Sequence, residues 1–140
     1  FILGTDDYTR RFEFHVEAMK AKKRVFFCNR GASMHLISSE ETSALLHRLA
    51  LSTVTGPLNY ASREPITYRD FMTVIGSAAD LEPRFAVKET ATNHSPYDHT
   101  SDKYMSLAKA LQLGFEPASV RSWLPELART IAARGQVGAP

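Results

Sequence analysis

An α/β fold, with a small mixed sheet and four to five helices, is predicted from three observations. Short β-prone runs alternate with helical patterns along the chain. Two of the helical patterns open on explicit capping signals, at Ser38 and at Thr67. The length of 140 residues, with 44% apolar and 23% charged, suits one domain with a real core.

The opening run "FILGTDD" is apolar, starts on Phe1 rather than Met, and reads as a strand whose beginning lies elsewhere. A first helix is predicted from about Tyr8 to Lys22, because Phe12, Val16 and Met19 recur at helical spacing and Phe14 and Ala18 widen the face. Its basic end, "KAKKR", suits a helix C-terminus. A β-prone run, "RVFFC", is separated by the turn "NRG" from a second, "ASMHLI", so the spacing predicts a hairpin.

Ser38 and Glu41 form a capping-box pattern ahead of a helix carrying Leu45, Leu46 and Leu49. "GPLNYAS" reads as the next strand. Pro65 keeps the chain extended, Thr67 is a good N-cap, and Ile66 and Phe71 stand in the relation of a hydrophobic staple. Tyr68, Phe71, Met72 and Ile75 make one apolar stripe on that helix. "RFAVKE" is a further strand and "TATNHSPYDH" a polar loop. A helix follows from about Ser101 to Gln112, ended by Gly114. The last helix carries Leu124, Leu127 and Ile131, and Pro125 in its first turn puts the cap near Ser122 rather than Ser119. Residues 1–133 form one unit, and 134–140 read as a frayed tail.

Composition excludes several classes. A net charge of +2 gives no bulk reason for nucleic acid or a membrane surface as partner, and Lys20–Arg24 reads as a solvated helix end. No apolar run approaches the ~20 residues of a membrane span. A lone cysteine and no visible secretory segment lead to the expectation of a reducing, cytoplasmic setting.

The motifs of common catalysis are missing. None of the seven glycines opens a strand-to-helix phosphate cradle, and no nucleophile elbow is present. Cys28 reads as a buried strand residue and His35 as a hydrogen-bonded core histidine. His94 and His99 sit five apart with Asp98 between them, as metal ligands can, but nothing else in the sequence supplies a further ligand at a recognisable spacing, so no metal is assigned.

Several motifs, in order, resemble the C-terminal half of extended short-chain dehydrogenases/reductases, the NAD-dependent epimerase/dehydratase family. "ILGTDD" is similar to the family's segment leaving a central strand, and "RVFFC" to its substrate-side strand. "MHLISSEETSALL" resembles its His-Val-Asp-Asp strand-to-helix turn, with Ser38 in the capping place. "GPLNYASREPITYRDF" and "TSDKYMSLAKALQLGFEP" resemble two later elements, the second most specifically. The resemblance covers about residues 1 to 133.

It implies a substrate-recognition half working with a Rossmann half that binds NAD or NADP and carries a Tyr-x-x-x-Lys pair; this chain has neither that pair nor the Gly-rich turn. No cofactor is expected on this chain alone, and no catalytic residue is assigned to it. The implied partners are a small-molecule substrate and the cofactor-binding half or a partner chain, with a homodimer left open. Four substrate-binding residues carry over. Val25 and Phe26 fall where the family's strand passes the nucleotide base. Tyr97, counted back from Lys103, falls where nucleotide-sugar epimerases have a substrate-contacting tyrosine. Arg30 is a near match to a diphosphate-binding arginine. A second arginine is usual before the polar loop, where this chain has Glu89 and Thr90, so a smaller or less charged substrate is equally open. The alternative reading is a non-catalytic ligand-binding or assembly module of the same fold.

Overall fold

A computed structural model describes residues 1–134. Its elements run β1 (Ile2–Leu3), α1 (Arg11–Lys20), β2 (Ser33–Met34), β3 (Ile37–Ser38), α2 (Ser39–Ala50), β4 (Ile66–Thr67), α3 (Tyr68–Ala79), α4 (Ala108–Gln112) and α5 (Val120–Arg134). The predicted α/β class and five helices are present, but the strands form two small sheets rather than one mixed sheet. β1 and β3 are parallel, with Ile2 opposite Ile37 and Leu3 opposite Ser38. β2 and β4 are antiparallel, with Ser33 opposite Thr67 and Met34 opposite Ile66.

The core lies between α1, α3 and α5. The predicted stripe on α3 is all there: Tyr68, Phe71, Met72 and Ile75 are fully buried, as are Phe12 and Val16 of α1 and Leu124 of α5. Phe12 meets Phe71 edge-on with ring centres 6.0 Å apart, an arrangement that aligns a positive ring edge with a negative ring face. α3 starts as predicted, Thr67 Oγ1 accepting from the Asp70 N–H at 3.0 Å. Ile66 and Phe71, the predicted staple, are both buried in this core. A Cβ at Gly76 would sit 2.6 Å from the Leu81 carbonyl oxygen, so only glycine lets the chain turn back so closely.

Half of the Ser38 capping box forms. Ser38 Oγ accepts from the Glu41 N–H at 3.0 Å, but the Glu41 carboxylate turns away to accept from Tyr60 Oη and the Ala118 N–H. None of α2's residues is buried, and Leu46 is 60% exposed.

Four expectations need correction. The hairpin of "RVFFC" with "ASMHLI" does not form, because the backbone of Val25 bonds to Arg84 and Ala86 and that of Phe26 to Asn93 and Ser95. "RVFFC" therefore meets "RFAVKE" in one isolated bridge, Val25 with Phe85, and the polar loop that follows it in another, Phe26 with His94. "GPLNYAS" has no regular strand; its Ser62 N–H makes one backbone bond, to Leu36. The helix expected from Ser101 is confined to α4, since residues 102–105 are held extended: Ser33 N–H donates to Asp102 Oδ1, Lys103 exchanges backbone bonds with Ser33 and His35, and Met105 N–H donates to His35 Nδ1.

Gly114, with φ of 75°, does end α4. Phe115 N–H bonds to Ala110 and Gly114 N–H to Leu111, the paired bonds of a Schellman cap. The fourth correction is that α5 begins at Val120, not after Ser122, and the Arg121 N–H donates to Ser119 Oγ at 3.2 Å. Pro125 lies beyond the first turn. Arg134 is the last residue of α5, and the rest of the predicted tail lies outside the described residues.

Candidate functional site

The four candidate substrate residues are not gathered into one pocket. The alternation of extended chain along 25–28 points Val25 and Phe27 into the core, at 1% and 3% exposure, and turns Phe26 and Cys28 outward. Phe26 is half-buried, with its ring 5.6 Å from that of His94. Cys28, expected to be buried, is exposed for this reason. Arg30 is engaged within the protein: its guanidinium donates to the Ala86 carbonyl at 2.9 Å and lies 5.0 Å over the Phe85 ring. Those two contacts take up part of the fork that a diphosphate would need.

Tyr97 is buried in an aromatic stack. Its ring lies nearly parallel to that of His15, centres 5.3 Å apart, and His15 stacks in turn on Phe27 at 6.1 Å. Phe1 lies 4.8 Å from Tyr97 on the outer side, and the Arg11 guanidinium lies over both rings at 5.6 and 5.7 Å. Tyr97 Oη and Asp7 Oδ2 are both buried without a hydrogen-bond partner. Burial, and after it the Asp7 charge, push the Tyr97 hydroxyl well above its ordinary range, so it stays a protonated donor. Lys103, the reference for placing Tyr97 by motif, lies in the bridge to Met34; the lysine on α4 is Lys109, which donates to the Thr55 and Pro57 carbonyls.

His15 is the residue the sequence did not single out. It is fully buried. Its Nδ1 faces the Arg11 carbonyl at 2.9 Å, which can only accept, so Nδ1 carries the proton and Nε2 accepts from Ser95 Oγ at 2.8 Å. Burial lowers its pKa to about 4, leaving a neutral imidazole. Its helical position between Phe12 and Met19 was the available signal. His35 is buried as expected, and its Nε2 has no partner.

A groove of about 610 Å³ opens where β1 and β3 end, lined by Leu3, Gly4, Ser39, Trp123 and Leu127 among others. The carboxyl ends of parallel strands are where α/β sheets bind ligands. Gly4 does not open a phosphate cradle there, because the place of a Cβ is filled by Ser39 and Asp6.

This fold recurs in solved enzymes. The UDP-glucose 4-epimerase of Thermus thermophilus, in complex with NAD, superposes over 99% of this chain and 45% of its own, with a TM-score of 0.67 at 15% identity. A UDP-N-acetylglucosamine 4-epimerase from Methanobrevibacter ruminantium, in complex with UDP-N-acetylmuramic acid, matches over 97% of this chain and 44% of its own, with a TM-score of 0.66 at 15% identity. The dTDP-4-dehydrorhamnose reductase of Bacillus anthracis, in complex with NADP, matches over 90% and 43%, with a TM-score of 0.63 at 11% identity.

The chain shares its fold with part of these enzymes. It spans less than half the length of each. No protein-family model and no curated sequence matches it. Among the described residues, no helix is long and apolar enough to cross a membrane.

Proposed function

We propose that this chain is the substrate-recognition part of an NAD(P)-dependent sugar or nucleotide-sugar epimerase, dehydratase or reductase, working with a cofactor-binding half that it does not itself contain. One observation carries the reading: β1 and β3 form a two-stranded parallel pair, with Ile2 of β1 52% exposed. Parallel strands are stable as members of larger covered sheets, not as isolated pairs. A parallel pair next to a groove at its strand ends is what the margin of a dinucleotide-binding sheet leaves when the rest is taken away. The likeness to less than half of several sugar epimerases and reductases supports the same reading.

The residues described do not suit a dinucleotide by themselves, since Gly4 is closed off by Ser39 and no other glycine opens a phosphate cradle. NAD or NADP would belong to the other half. The task left to this chain is orientation, holding a substrate carbon in reacting geometry. Tyr97 Oη and Asp7 Oδ2 support that role. They are a donor and an acceptor with no internal partner, so a sugar hydroxyl that reached them would make bonds these atoms do not otherwise have. Arg30, tied to Ala86 and Phe85, favours a substrate that does not depend on a bidentate diphosphate clamp at that position.

Calorimetric titration of the full-length protein tests the proposal. NAD or NADP is expected to bind first, followed by a UDP- or dTDP-sugar. Failure of every dinucleotide to bind would leave the non-catalytic alternative.

A further inference from the structure

Cys28 and Asp98 stand 70 positions apart in the chain, yet the Cys28 N–H donates to Asp98 Oδ2 at 2.8 Å. His94 completes the group, its Nε2 3.0 Å from the same oxygen. The thiol sulfur, a ring nitrogen and a carboxylate oxygen all lie within 4.8 Å of one another. In the sequence, His94, Asp98 and His99 have no further ligand at a recognisable spacing. The outward turn of Cys28 from the neighbouring extended segment provides it.

Two further observations set this cluster apart from a surface ion pair. The Asp98 side chain is only 1% exposed although its neighbours are open to solvent, and its Oδ1 is buried with no hydrogen-bond partner. A buried carboxylate with an unused oxygen is costly, and a cation beside it removes the cost. Glu89 Oε1 lies 2.5 Å from His94 Nδ1. A carboxylate on the far nitrogen is the usual means of fixing the tautomer and direction of a metal-binding histidine.

We propose that Cys28, His94 and Asp98 form a binding site for a divalent transition metal, with zinc as the preferred ion and Glu89 as the positioning residue for His94. A sulfur, nitrogen and oxygen donor set favours zinc over magnesium or calcium, which take oxygen ligands. Tetrahedral zinc with bonds of ~2.0–2.3 Å needs donors about 3.3–3.8 Å apart, so the cluster reaches that geometry by side-chain shifts of roughly 1 Å. The thiolate and carboxylate neutralise the ion. Three protein ligands leave a fourth position on the open side of Cys28, for water or a ligand atom. The inference does not depend on the proposed enzymatic role.

The test is a cobalt titration of the chelator-treated, reduced full-length protein, followed by zinc competition. One equivalent of Co²⁺ is expected to give tetrahedral visible bands and a sulfur-to-cobalt charge-transfer band, both erased by zinc. Cys28→Ser, a change at an exposed side chain, should abolish the charge-transfer band while the circular dichroism stays the same. Glu89→Gln should weaken binding about 10- to 100-fold and keep the spectrum. Absence of a charge-transfer band, or one that survives in Cys28→Ser, would overturn the proposal. So would a Glu89→Gln affinity equal to that of the parent.

Discussion

Ser95 Oγ donates to His15 Nε2 over 2.8 Å, joining α1 to a loop 80 positions further along the chain. With Nδ1–H facing the Arg11 carbonyl, the neutral imidazole accepts this bond at Nε2. Burial keeps the ring neutral, with a pKa lowered from 6.5 to about 4. Between those values the unfolded chain binds the proton and the folded one does not, so stability rises with pH across that window. It is lost as pH falls from 6.5 toward 4, and the slope from this group ends below 4. The full effect is roughly 3 kcal/mol. Urea denaturation at several pH values should show this slope, and His15→Gln should remove that part of it.

Tyr97→Phe separates fold from function. The Tyr97 hydroxyl is buried and bonded to nothing, so its removal should leave stability unchanged or raise it by up to ~1 kcal/mol. In the full-length protein the same change should raise KM for the sugar, with the melting temperature unmoved or higher. A stability loss above ~2 kcal/mol would mean that the hydroxyl serves the fold.

Tyr68→Phe makes a contrast in the same buried cluster. Tyr68 Oη donates to the Tyr97 carbonyl at 2.8 Å in a buried site. Deleting it leaves that carbonyl without this donor and should cost about 1–3 kcal/mol by chemical denaturation.

Thr67→Ala should destabilise by about 1 kcal/mol, with Thr67→Ser close to the parent, because the hydroxyl bond to the Asp70 N–H is what caps α3. Gly76→Ala should cost about 1–3 kcal/mol by crowding the Leu81 carbonyl and Pro83, despite the better helix propensity of alanine.

The starts of α2 and α3 and the apolar stripe of α3 were the legible part of this sequence, for a local reason. Thr67 and Ser38 act on N–H groups three residues away, and the stripe from Tyr68 to Ile75 is a property of one helix. Strand pairing was illegible because partners lie far along the chain: "RVFFC" chose residues 84–86 and 93–95 over its sequence neighbour. Residues 102–105 show tertiary bonds overriding helical periodicity, with Asp102 and Lys103 drawn to Ser33. Among candidate site residues, the burial of Val25 and the engagement of Arg30 follow from those distant pairings. His15 was hidden for the same reason, since its partner Ser95 is 80 positions away.

The central claim is that this chain orients a sugar for chemistry at a nicotinamide cofactor held elsewhere. It is tested most directly by incubating the full-length protein with NAD, NADP and their reduced forms and a panel of UDP- and dTDP-sugars. The sugars are then followed by proton NMR and the cofactor by its absorbance. The account predicts that one sugar is epimerised, dehydrated or reduced, with a KM raised by Tyr97→Phe. Dinucleotide binding with no sugar converted, or no dinucleotide binding at all, would contradict it.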